Sequence, residues 1–384
     1  MERSQFIVAS NDFIHPSQLG GLKFKSTTDA GIVLTHIVRS GWVKGKTTST
    51  LAFNISQFFP SLNHWLLILI LEKVGLESKV FSFFANYLVK RKTSYLWNNL
   101  SSPNFEVNVR VGQGSVLSPI LLALYLSLFL HILEKHLKNL KIPISILLFV
   151  DDSLIIVQNK SLDISNSYLF YSYNILSKLL DSFGLVIKHV KTENFYFNRL
   201  HGIFNPPPLD LSPIGGPILH PKDTWKYLGF IFDQKPTFYQ HINHYSNKAI
   251  SIVKCMKLLG NSSWRINPIQ KSQLYRCCVL SIVLYGFQLW FYNNASMSYH
   301  MKILDKMQRR ATIWILGAFK TSPTEGIKAI AGIIPLKFHL QKLTRRSQIQ
   351  PFVLSTNHIM RDLMDDLPNS FRKPNFHSVR SLTN

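Results

Sequence analysis

Apolar residues follow spacings that predict both strands and helices in the first half of the chain. Residues 50–55 form a β-rich run that predicts a strand, and the apolar spacing over 63–75 predicts a helix. Ser118 followed by Pro119 predicts a helix start, with the serine as the N-cap and the proline in the first helical position. This helix is expected to continue to His136.

Two β-rich runs, 144–149 and 154–157, lie on either side of a pair of acids, Asp151 and Asp152. Their spacing predicts a β-hairpin with the acids at or beside its turn. Two neighbouring carboxylates between buried strands repel each other and lose hydration, so cations, hydrogen bonds or protonation must offset them. Taken alone, the pattern fits an ordinary Asp-rich turn as well as it fits a metal site.

Prolines and glycines concentrated over 204–221 predict a long irregular connection. A short strand is expected directly after it, over 225–232, and the apolar spacing then becomes helical. Helices are expected at 247–259, 269–291 and 301–317. The periodicity fades from about Gln350, which predicts a loosely packed tail. This order of elements predicts an α+β body followed by a helical domain.

The composition adds a strong positive charge to this picture. The 384 residues include 43 Lys and Arg against 20 Asp and Glu, a formal net charge of +23, and 46% of the residues are hydrophobic. A chain of this length and apolar content can build a large core, which excludes intrinsic disorder and a small disulfide-stapled scaffold. The charge favours a polyanionic partner, either nucleic acid or an acidic membrane surface.

The cysteines and the apolar runs bear on the compartment. Three cysteines, Cys255, Cys277 and Cys278, give no disulfide framework, which favours a reducing, intracellular compartment. The apolar run over 120–133 is too short for a bilayer span, and the run over 142–157 is interrupted by two carboxylates that would be costly in lipid. Neither run is expected to cross a membrane.

Further short motifs stand in a fixed order around the two acids. They lie at residues 18–30, 52–62, 110–119, 183–185, 191–193, 225–229 and 307–311. In this order and spacing the set resembles the polymerase palm of reverse transcriptases, most like those of non-LTR (LINE-type) retrotransposons. The resemblance extends from about residue 15 to about residue 350, and so many ordered motifs make a chance match improbable. It implies an antiparallel palm sheet packed by helices, followed by a helical thumb.

The resemblance also implies the chemistry. Enzymes of this family join a deoxynucleotide to a primer 3′ hydroxyl by phosphoryl transfer with two Mg²⁺ ions. Asp151 and Asp152 match the metal-binding pair, and the main-chain carbonyl of Ile55 matches a further oxygen ligand. Asn54 stands where the family has a third, metal-bridging aspartate. Lys191 matches the lysine that protonates the departing pyrophosphate, although one lysine in a basic protein is nearly as compatible with a solvated surface position.

Nucleotide and primer contacts are implied in the same way. Phe59 matches the aromatic residue under the incoming sugar, with an ordinary core aromatic as the alternative. Gln113 and Gly114 match a turn that contacts the incoming nucleotide and the template, and their alternative is a plain loop before a helix. A third segment, Tyr227-Leu228-Gly229, matches the hairpin that grips the primer end, and its alternative is an edge strand ending in glycine. The cations of the helical half are expected to follow phosphates; they include Lys248, Lys254, Lys257, Arg309 and Arg310.

Two departures from the family pattern change the functional expectation. Asn54 removes a full negative charge from between two dications, and losing one such contact costs about 10²- to 10³-fold in rate. The chain also starts only a few residues before the segment at Gln18, and the motifs that would form the fingers and an upstream endonuclease are not found. We therefore expect a truncated copy with little or no polymerase activity.

The resemblance gives a domain division and a set of partners. Residues 1–50 are expected to be a remnant of the fingers, 51–232 the palm, 233–350 the thumb and the region after it, and 351–384 a tail. The expected partners are an RNA template, a DNA primer and deoxynucleoside triphosphates, and the family implies the nucleus. A basic RNA or RNA/DNA-hybrid binding module without catalysis is the alternative function. An interfacial membrane protein ranks far behind, because it rests on charge and apolar content alone.

Overall fold

A computed structural model gives two compact units, which among the described residues comprise 13–222 and 223–353. The resemblance places the end of the palm at residue 232, and this boundary stays a prediction. The two compact units divide ten residues earlier. The residues that the structure describes are 13–23, 25–56, 58–89, 91–107, 115, 117–199, 205–260, 266–291 and 298–353.

The first unit opens with a helix that the sequence analysis did not predict. Helix α1 spans Thr27–Val43 and begins with a reciprocal cap. The Ser26 main-chain N–H donates to the Asp29 carboxylate at 2.7 Å, and the Asp29 N–H donates to the Ser26 hydroxyl at 3.3 Å. This arrangement satisfies donors that the first helical turn leaves free. Strand β1, Thr47–Ser56, follows and includes the strand predicted over 50–55.

A group of short helices follows β1. They are α2 (Phe58–Ser61), α3 (His64–Lys73) and α4 (Ser78–Leu88). The helix predicted over 63–75 is confirmed as α3. Its N-cap is Asn63, whose side-chain oxygen accepts from the main-chain N–H groups of Trp65 and Leu66 at 2.9 and 3.2 Å. Two small hairpins come next, formed by β2 (Arg91–Thr93) with β5 (Phe105–Val107) and by β3 (Leu96–Trp97) with β4 (Leu100–Ser101).

Helix α5, Ser118–Asn139, is a core helix with 13 of its 22 residues buried. It begins one residue earlier than predicted: Ser118 is the first helical residue and Leu117 occupies the N-cap position, so the prediction that Ser118 is the cap is wrong. Pro119 does lie in the first turn, where its missing N–H costs nothing. Among the described residues α5 alone has the length and apolar content of a membrane span, but 67% of its apolar window is buried inside the fold, as in any core helix.

The central sheet of the first unit is antiparallel and five-stranded. It contains β6 (Ile144–Phe149), β7 (Asp152–Asn159), β8 (Val186–Ile187) and β9 (Glu193–Phe197) beside β1. The order is β6-β7-β1-β8, and β9 pairs with an earlier part of β1 than β8 does. The hairpin predicted around the two acids is confirmed as β6–β7.

One face of this sheet carries the core. Alternate residues of β1, namely Leu51, Phe53 and Ile55, are buried in one cluster with α3, α5 and helix α6, which spans Leu162–Ser182. Because strand side chains alternate between faces, a single apolar face is enough to hold these helices against the sheet. The acids lie at one end of this sheet, where β6 turns into β7.

Between Asn205 and Lys222 the chain is more ordered than its proline content predicts. Strand β10 (Leu209–Asp210) pairs with β11 (Ile218–Leu219), and a 3₁₀ turn at Ser212–Ile214 lies between them. The expectation of a wholly irregular connection is therefore wrong for this part. Gly215, with φ +77°, ends the 3₁₀ turn in a left-handed conformation that favours glycine.

The second unit begins with a hairpin where one strand was predicted. Strands β12 (Thr224–Tyr227) and β13 (Phe230–Asp233) pair through a turn at Leu228-Gly229. Helix α7 spans Tyr239–Met256, so it begins earlier than the prediction of residue 247, and a 3₁₀ turn at Lys257–Gly260 extends it. The prediction placed the start too late because the first two turns of α7 are rich in polar residues.

The helix predicted over 269–291 is broken into four pieces. They are α8 (Pro268–Leu274), a π-helical turn (Tyr275–Leu280), α9 (Ser281–Val283) and α10 (Phe287–Trp290). The break lies at Gly286, whose φ is +64° and where a Cβ atom would lie 2.2 Å from the ring of Phe230. Helix α11 (Ser298–Leu316) contains the helix predicted from residue 301, and α12 (Thr324–Ile330) and α13 (Leu336–Val353) complete the unit. Most of the predicted tail lies outside the described residues.

Candidate active site

The turn between β6 and β7 carries the two acids in a strained backbone. Val150 has φ +61°, a left-handed conformation that is rare for a β-branched residue. Asp151 follows in the turn, and Asp152 is the first residue of β7. Strain of this kind persists only where the surroundings hold it, and it is common at functional sites. The fold therefore fixes both carboxyl groups at the end of a rigid hairpin.

The segment before α1 supports this turn. The Leu19 N–H donates to the Leu148 carbonyl at 2.8 Å, and the Leu148 N–H donates to the Ser17 carbonyl at 2.9 Å. Gly20 then passes so close to the turn that a Cβ atom would lie 2.4 Å from the main-chain nitrogen of Val150. Only glycine fits at this distance from backbone. Gly20 is a site residue that the sequence analysis placed in a motif without a role.

Asn54 and Asp152 face each other on neighbouring strands. They are register partners in the β1–β7 pair, and the Asn54 side-chain amide donates to an Asp152 carboxylate oxygen at 2.5 Å. The Ile55 main-chain N–H donates to the Asp151 carbonyl at 3.2 Å. The amide and the acid pair, far apart in the chain, thus converge at one end of the sheet as the resemblance implies.

The charges at this end of the sheet act on Asp152 in opposite directions. Burial raises the pKa of Asp152 above its ordinary value, and the neighbouring charge of Asp151 raises it further. The hydrogen bond from Asn54 and the positive charge of Lys191 oppose this rise. The ionised site is therefore short of positive charge, which is the condition under which a bound cation stabilises a protein.

Lys191 lies on a 3₁₀ turn, His189–Lys191, that is anchored beside the acids. The Lys188 N–H donates to the Asn54 carbonyl at 2.8 Å, which ties the turn to β1. From α6, the buried hydroxyl of Tyr173 lies 2.9 Å from His189 Nδ1 and 3.2 Å from the Thr192 hydroxyl. Tyr173 and His189 are positioning residues that the sequence analysis missed, because no short motif contains them.

The remaining predicted residues of the first unit have mixed outcomes. Phe59 lies in α2 and packs, partly buried, against the main core. This position is compatible with an ordinary core aromatic, and contact with an incoming sugar stays a prediction. Ile55 is buried in β1, and metal binding by its carbonyl also stays a prediction. Gln113 and Gly114 lie outside the described residues.

The predicted primer-gripping residues lie in the second unit. The carbonyl groups of their hairpin turn accept from two tyrosine hydroxyls, Tyr285 to Leu228 and Tyr245 to Gly229, each at 2.7 Å. Tyr227 is buried and its ring stacks on Trp225 with centroids 5.0 Å apart. The hairpin is therefore held firmly from within its own unit, whereas its role toward a primer stays a prediction.

A second group of possible metal ligands lies on α5 and the segment before α1. The ligand atoms of His15, His131 and Glu134 lie within 4.8 Å of one another. The Ser17 N–H donates to Nδ1 of His15, so Nε2 carries the proton and faces Glu134 at 3.2 Å. This tautomer makes a hydrogen-bonded pair, and Nε2 is not free to bind a metal ion.

A comparison with known families decides the family of this chain. Residues 4–232 match the sequence profile of the family described as "Reverse transcriptase (RNA-dependent DNA polymerase)". This match covers more than half of the chain. The chain belongs to the reverse transcriptase family. The match covers the described part of the first unit, in which the paired acids occupy the turn of an antiparallel hairpin, and the first ten residues of the second unit.

Several similar proteins come from non-LTR retrotransposons. A probable RNA-directed DNA polymerase from transposon X-element of Drosophila melanogaster is 23% identical over 64% of this chain and 26% of its own length. A Pol polyprotein from the type-1 retrotransposable element R2 of Popillia japonica is 21% identical over 67% of this chain and 41% of its own length. This reverse transcriptase is thus of the LINE type, and it spans less than half the length of these relatives.

Solved structures similar to this chain include two telomerases. The telomerase of Candida tropicalis, in complex with a fragment of telomeric RNA, is 14% identical over 96% of this chain and 56% of its own, with a TM-score of 0.45. The corresponding complex from Candida albicans is 12% identical over 95% of this chain and 56% of its own, with a TM-score of 0.43.

The donor set of this reverse transcriptase fits a divalent metal ion in part. Reverse transcriptases generally use divalent metal ions, and two adjacent carboxylates supply the hard oxygen ligands that such ions prefer. One oxygen of Asp152, however, accepts from the Asn54 amide. A cation at that oxygen must displace the N–H donor or bind on the other side of the carboxylate. The fit is therefore good at the acid pair and poor at Asn54.

Proposed function

We propose that this chain is the palm and thumb of an RNA-directed DNA polymerase from a LINE-type retrotransposon, and that it is catalytically impaired. The observation that carries the proposal is the contact between the Asn54 amide and the Asp152 carboxylate at the end of the acid hairpin. This contact supports the geometry of a polymerase site, because it brings position 54 to the acid pair. The residue at that position is an amide, however, and not the carboxylate that would complete the charge of the site.

The proposed reaction is template-directed nucleotidyl transfer. Divalent ions, when bound, stabilise the charge that develops on the attacking and leaving oxygens. Asp151 and Asp152 would hold such an ion at the hairpin turn, with the Ile55 carbonyl as a further oxygen, and Mg²⁺ is the ion expected. Lys191, exposed on its anchored turn, would donate a proton toward the departing pyrophosphate.

The proposed impairment follows from charge. An aspartate at position 54 would bring a third carboxylate to the pocket, whereas Asn54 offers one neutral oxygen and an N–H donor. In the structure the donor already faces Asp152. With an amide at position 54, the pocket would therefore offer one anion fewer to balance bound divalent ions.

The proposed partners are an RNA template, a DNA primer and deoxynucleoside triphosphates, and the proposed location is the nucleus. A net charge of +23 suits a polyanionic partner. Lys248, Lys254 and Arg310 are exposed in the second unit and available to phosphates. Arg309 is excluded from this set, because its guanidinium donates to the Thr324 hydroxyl and, at 2.7 Å, to the Lys320 carbonyl.

Primer extension on an RNA template, with Mg²⁺ and then Mn²⁺, tests the proposal. We expect wild type to be slower than Asn54→Asp by about 10²-fold or more, since a metal ligand is restored. Asp152→Asn in the Asn54→Asp background should abolish the gain and serves as the control. Equal extension by wild type and Asn54→Asp would refute the impairment, and no extension by either would refute the catalytic assignment.

The same Asn54 contact supports a second candidate, an RNA or RNA/DNA-hybrid binding module without catalysis. Filter binding of a primer–template over a series of salt concentrations separates the two. Retention of the primer–template without extension, even in Asn54→Asp, favours the binding module. Failure to bind at low salt argues against both candidates.

A further inference from the structure

Helix α13 (Leu336–Val353) is fixed in the second unit through the side that carries Leu336 and Leu340. Leu336 and Leu340 are fully buried. The buried side chain of Gln308, on α11, donates to the Ile334 carbonyl at 3.0 Å and accepts from the Leu336 N–H at 3.3 Å. These two bonds set the first turn of α13 on α11, so the orientation of its opposite side is fixed as well.

The opposite side presents an aromatic ring among cations. Phe338 is 60% exposed, and Lys342 and Arg345 are exposed on the following turns. At about 100° per residue, these three lie within about 60° of one another and point away from Leu336. We name Phe338, Lys342, Arg345 and the adjacent, exposed Arg346 the α13 face.

The charge of α13 is of one sign. Its 18 residues contain four lysines and arginines and neither aspartate nor glutamate. The positive potential reaches His339, whose pKa is lowered by burial first and then by the charges of Lys342 and Arg346. An exposed phenyl ring flanked by cations, with no acid on the helix, suits a strand of nucleic acid that offers both phosphates and an unpaired base.

We infer that the α13 face binds single-stranded RNA, with its cations on successive phosphates and Phe338 stacked on a base. A duplex keeps its bases stacked on each other, so a ring on a helix surface can contact only an unpaired one. The choice of RNA over single-stranded DNA rests on the proposed function, in which an RNA template must be held. Neither the family motifs nor the acid hairpin includes this face.

Fluorescence anisotropy with an unstructured 20-nucleotide oligouridylate, over a salt series, tests the charged part. The triple variant Lys342→Gln/Arg345→Gln/Arg346→Gln should bind about ten-fold more weakly, and its salt dependence should be shallower by about 2 in log–log slope. The matched control removes three exposed lysines elsewhere in the unit: Lys302→Gln/Lys306→Gln/Lys320→Gln. The control should keep most of the wild-type affinity. Equal losses in the two triples would overturn the inference.

The aromatic part has its own control. Phe338→Ala should weaken oligouridylate binding about five-fold or more and leave binding of duplex RNA unchanged, whereas Phe319→Ala, at an 83% exposed ring, should change neither. Weaker binding to phosphatidylserine vesicles with unchanged RNA binding in the charge triple would overturn the inference in favour of a membrane surface. Unchanged oligouridylate binding alongside primer extension by Asn54→Asp would reject the α13 face and leave the proposed polymerase intact.

Discussion

Two hairpin turns, one in each unit, have a non-glycine residue in the left-handed region: Val150 at φ +61° and Leu228 at φ +47°. The turns differ in how their polar and charged groups are satisfied. The turn in the second unit has its carbonyl groups bonded by tyrosine hydroxyls at 2.7 Å. The turn in the first unit instead carries two like charges, partly offset by an amide donor and a lysine.

The two turns differ in charge balance. In the second unit the Leu228 and Gly229 carbonyls are bonded within the unit, and contact of this hairpin with a primer stays a prediction. In the first unit the acid turn is held rigidly by Gly20 and by β1, while its charges remain unbalanced. Fixed, unbalanced carboxylates are what a cation site requires.

The largest expected effect tests the rigidity of the second unit. Gly286→Ala should lower the free energy of unfolding by about 4 kcal/mol, because the new Cβ overlaps the Phe230 ring and the residue has φ +64°. Gly317→Ala, with φ +68° and no atom near its Cβ, isolates the backbone penalty and should cost about 1 kcal/mol. Urea unfolding followed by tryptophan fluorescence measures both. Equal losses would show that the packing at Phe230 is not tight.

The second effect tests how completely that unit satisfies its polar groups. His241 is buried; its Nδ1 accepts from the Ile231 N–H at 3.2 Å, and its Nε2 donates to the Tyr285 carbonyl at 3.1 Å. The pKa of His241 is lowered from an ordinary 6.5 to about 4, chiefly by burial. The bond to the Tyr285 carbonyl opposes this shift, and the charge of His244 contributes to it.

The pKa of His241 is lower in the folded state than in the unfolded state. The stability contributed by its neutral form is therefore fully present above pH 6.5 and is lost as the pH falls from 6.5 to 4. The loss should approach about 3 kcal/mol. Urea midpoints at pH 7, 5 and 4 measure it, and His241→Gln should flatten the curve. A wild-type curve as flat as that of the variant would contradict the buried neutral histidine.

The third effect tests the unbalanced charge of the first unit. Without divalent ions, Asn54→Asp should destabilise the protein by about 2 kcal/mol, because a donor to Asp152 is replaced by a like charge. Added Mg²⁺ should restore the loss. Asn63→Asp introduces the same charge at a helix N-cap, where aspartate serves equally well, and should be near neutral with no response to Mg²⁺. Thermal melts with and without Mg²⁺ distinguish the two variants.

The smallest effect tests the anchoring of the Lys191 turn. Tyr173→Phe should cost about 1 kcal/mol, since the hydroxyl that contacts His189 and Thr192 is removed from a buried site. Tyr171→Phe, on the exposed side of the same helix, should be silent. In the Asn54→Asp background, Tyr173→Phe should also slow primer extension. An unchanged rate would mean that Lys191 needs no such anchor.

Much of the first unit was predictable because its signals are local. The strand β1, the helix α3 and the acid hairpin each follow from a short pattern of apolar residues and turn formers. The motif order also predicted that Asn54 would meet the acid pair. The predictions of helices in the second unit were weaker, because its breaks depend on contacts from outside the pattern.

The break at Gly286 shows the limit clearly. The residues around it are as apolar as those of a continuous helix, and the Phe230 ring from β13 leaves room only for glycine at the point where the chain turns. Tyr173, His189 and the α13 face were missed for the same reason. Each acquires its role from neighbours that are distant in sequence.

By itself, the sequence determined the family, the positive charge, the α+β order of elements and the replacement of an acid by Asn54, since each resides in residue types or short spacings. The tertiary structure alone decided that the Asn54 amide points its N–H at Asp152, that Gly20 supports the acid turn and that α13 exposes one cationic face. The physical reason is that hydrogen-bond direction, close backbone approach and surface exposure are properties of pairs of segments, which no single stretch of chain contains.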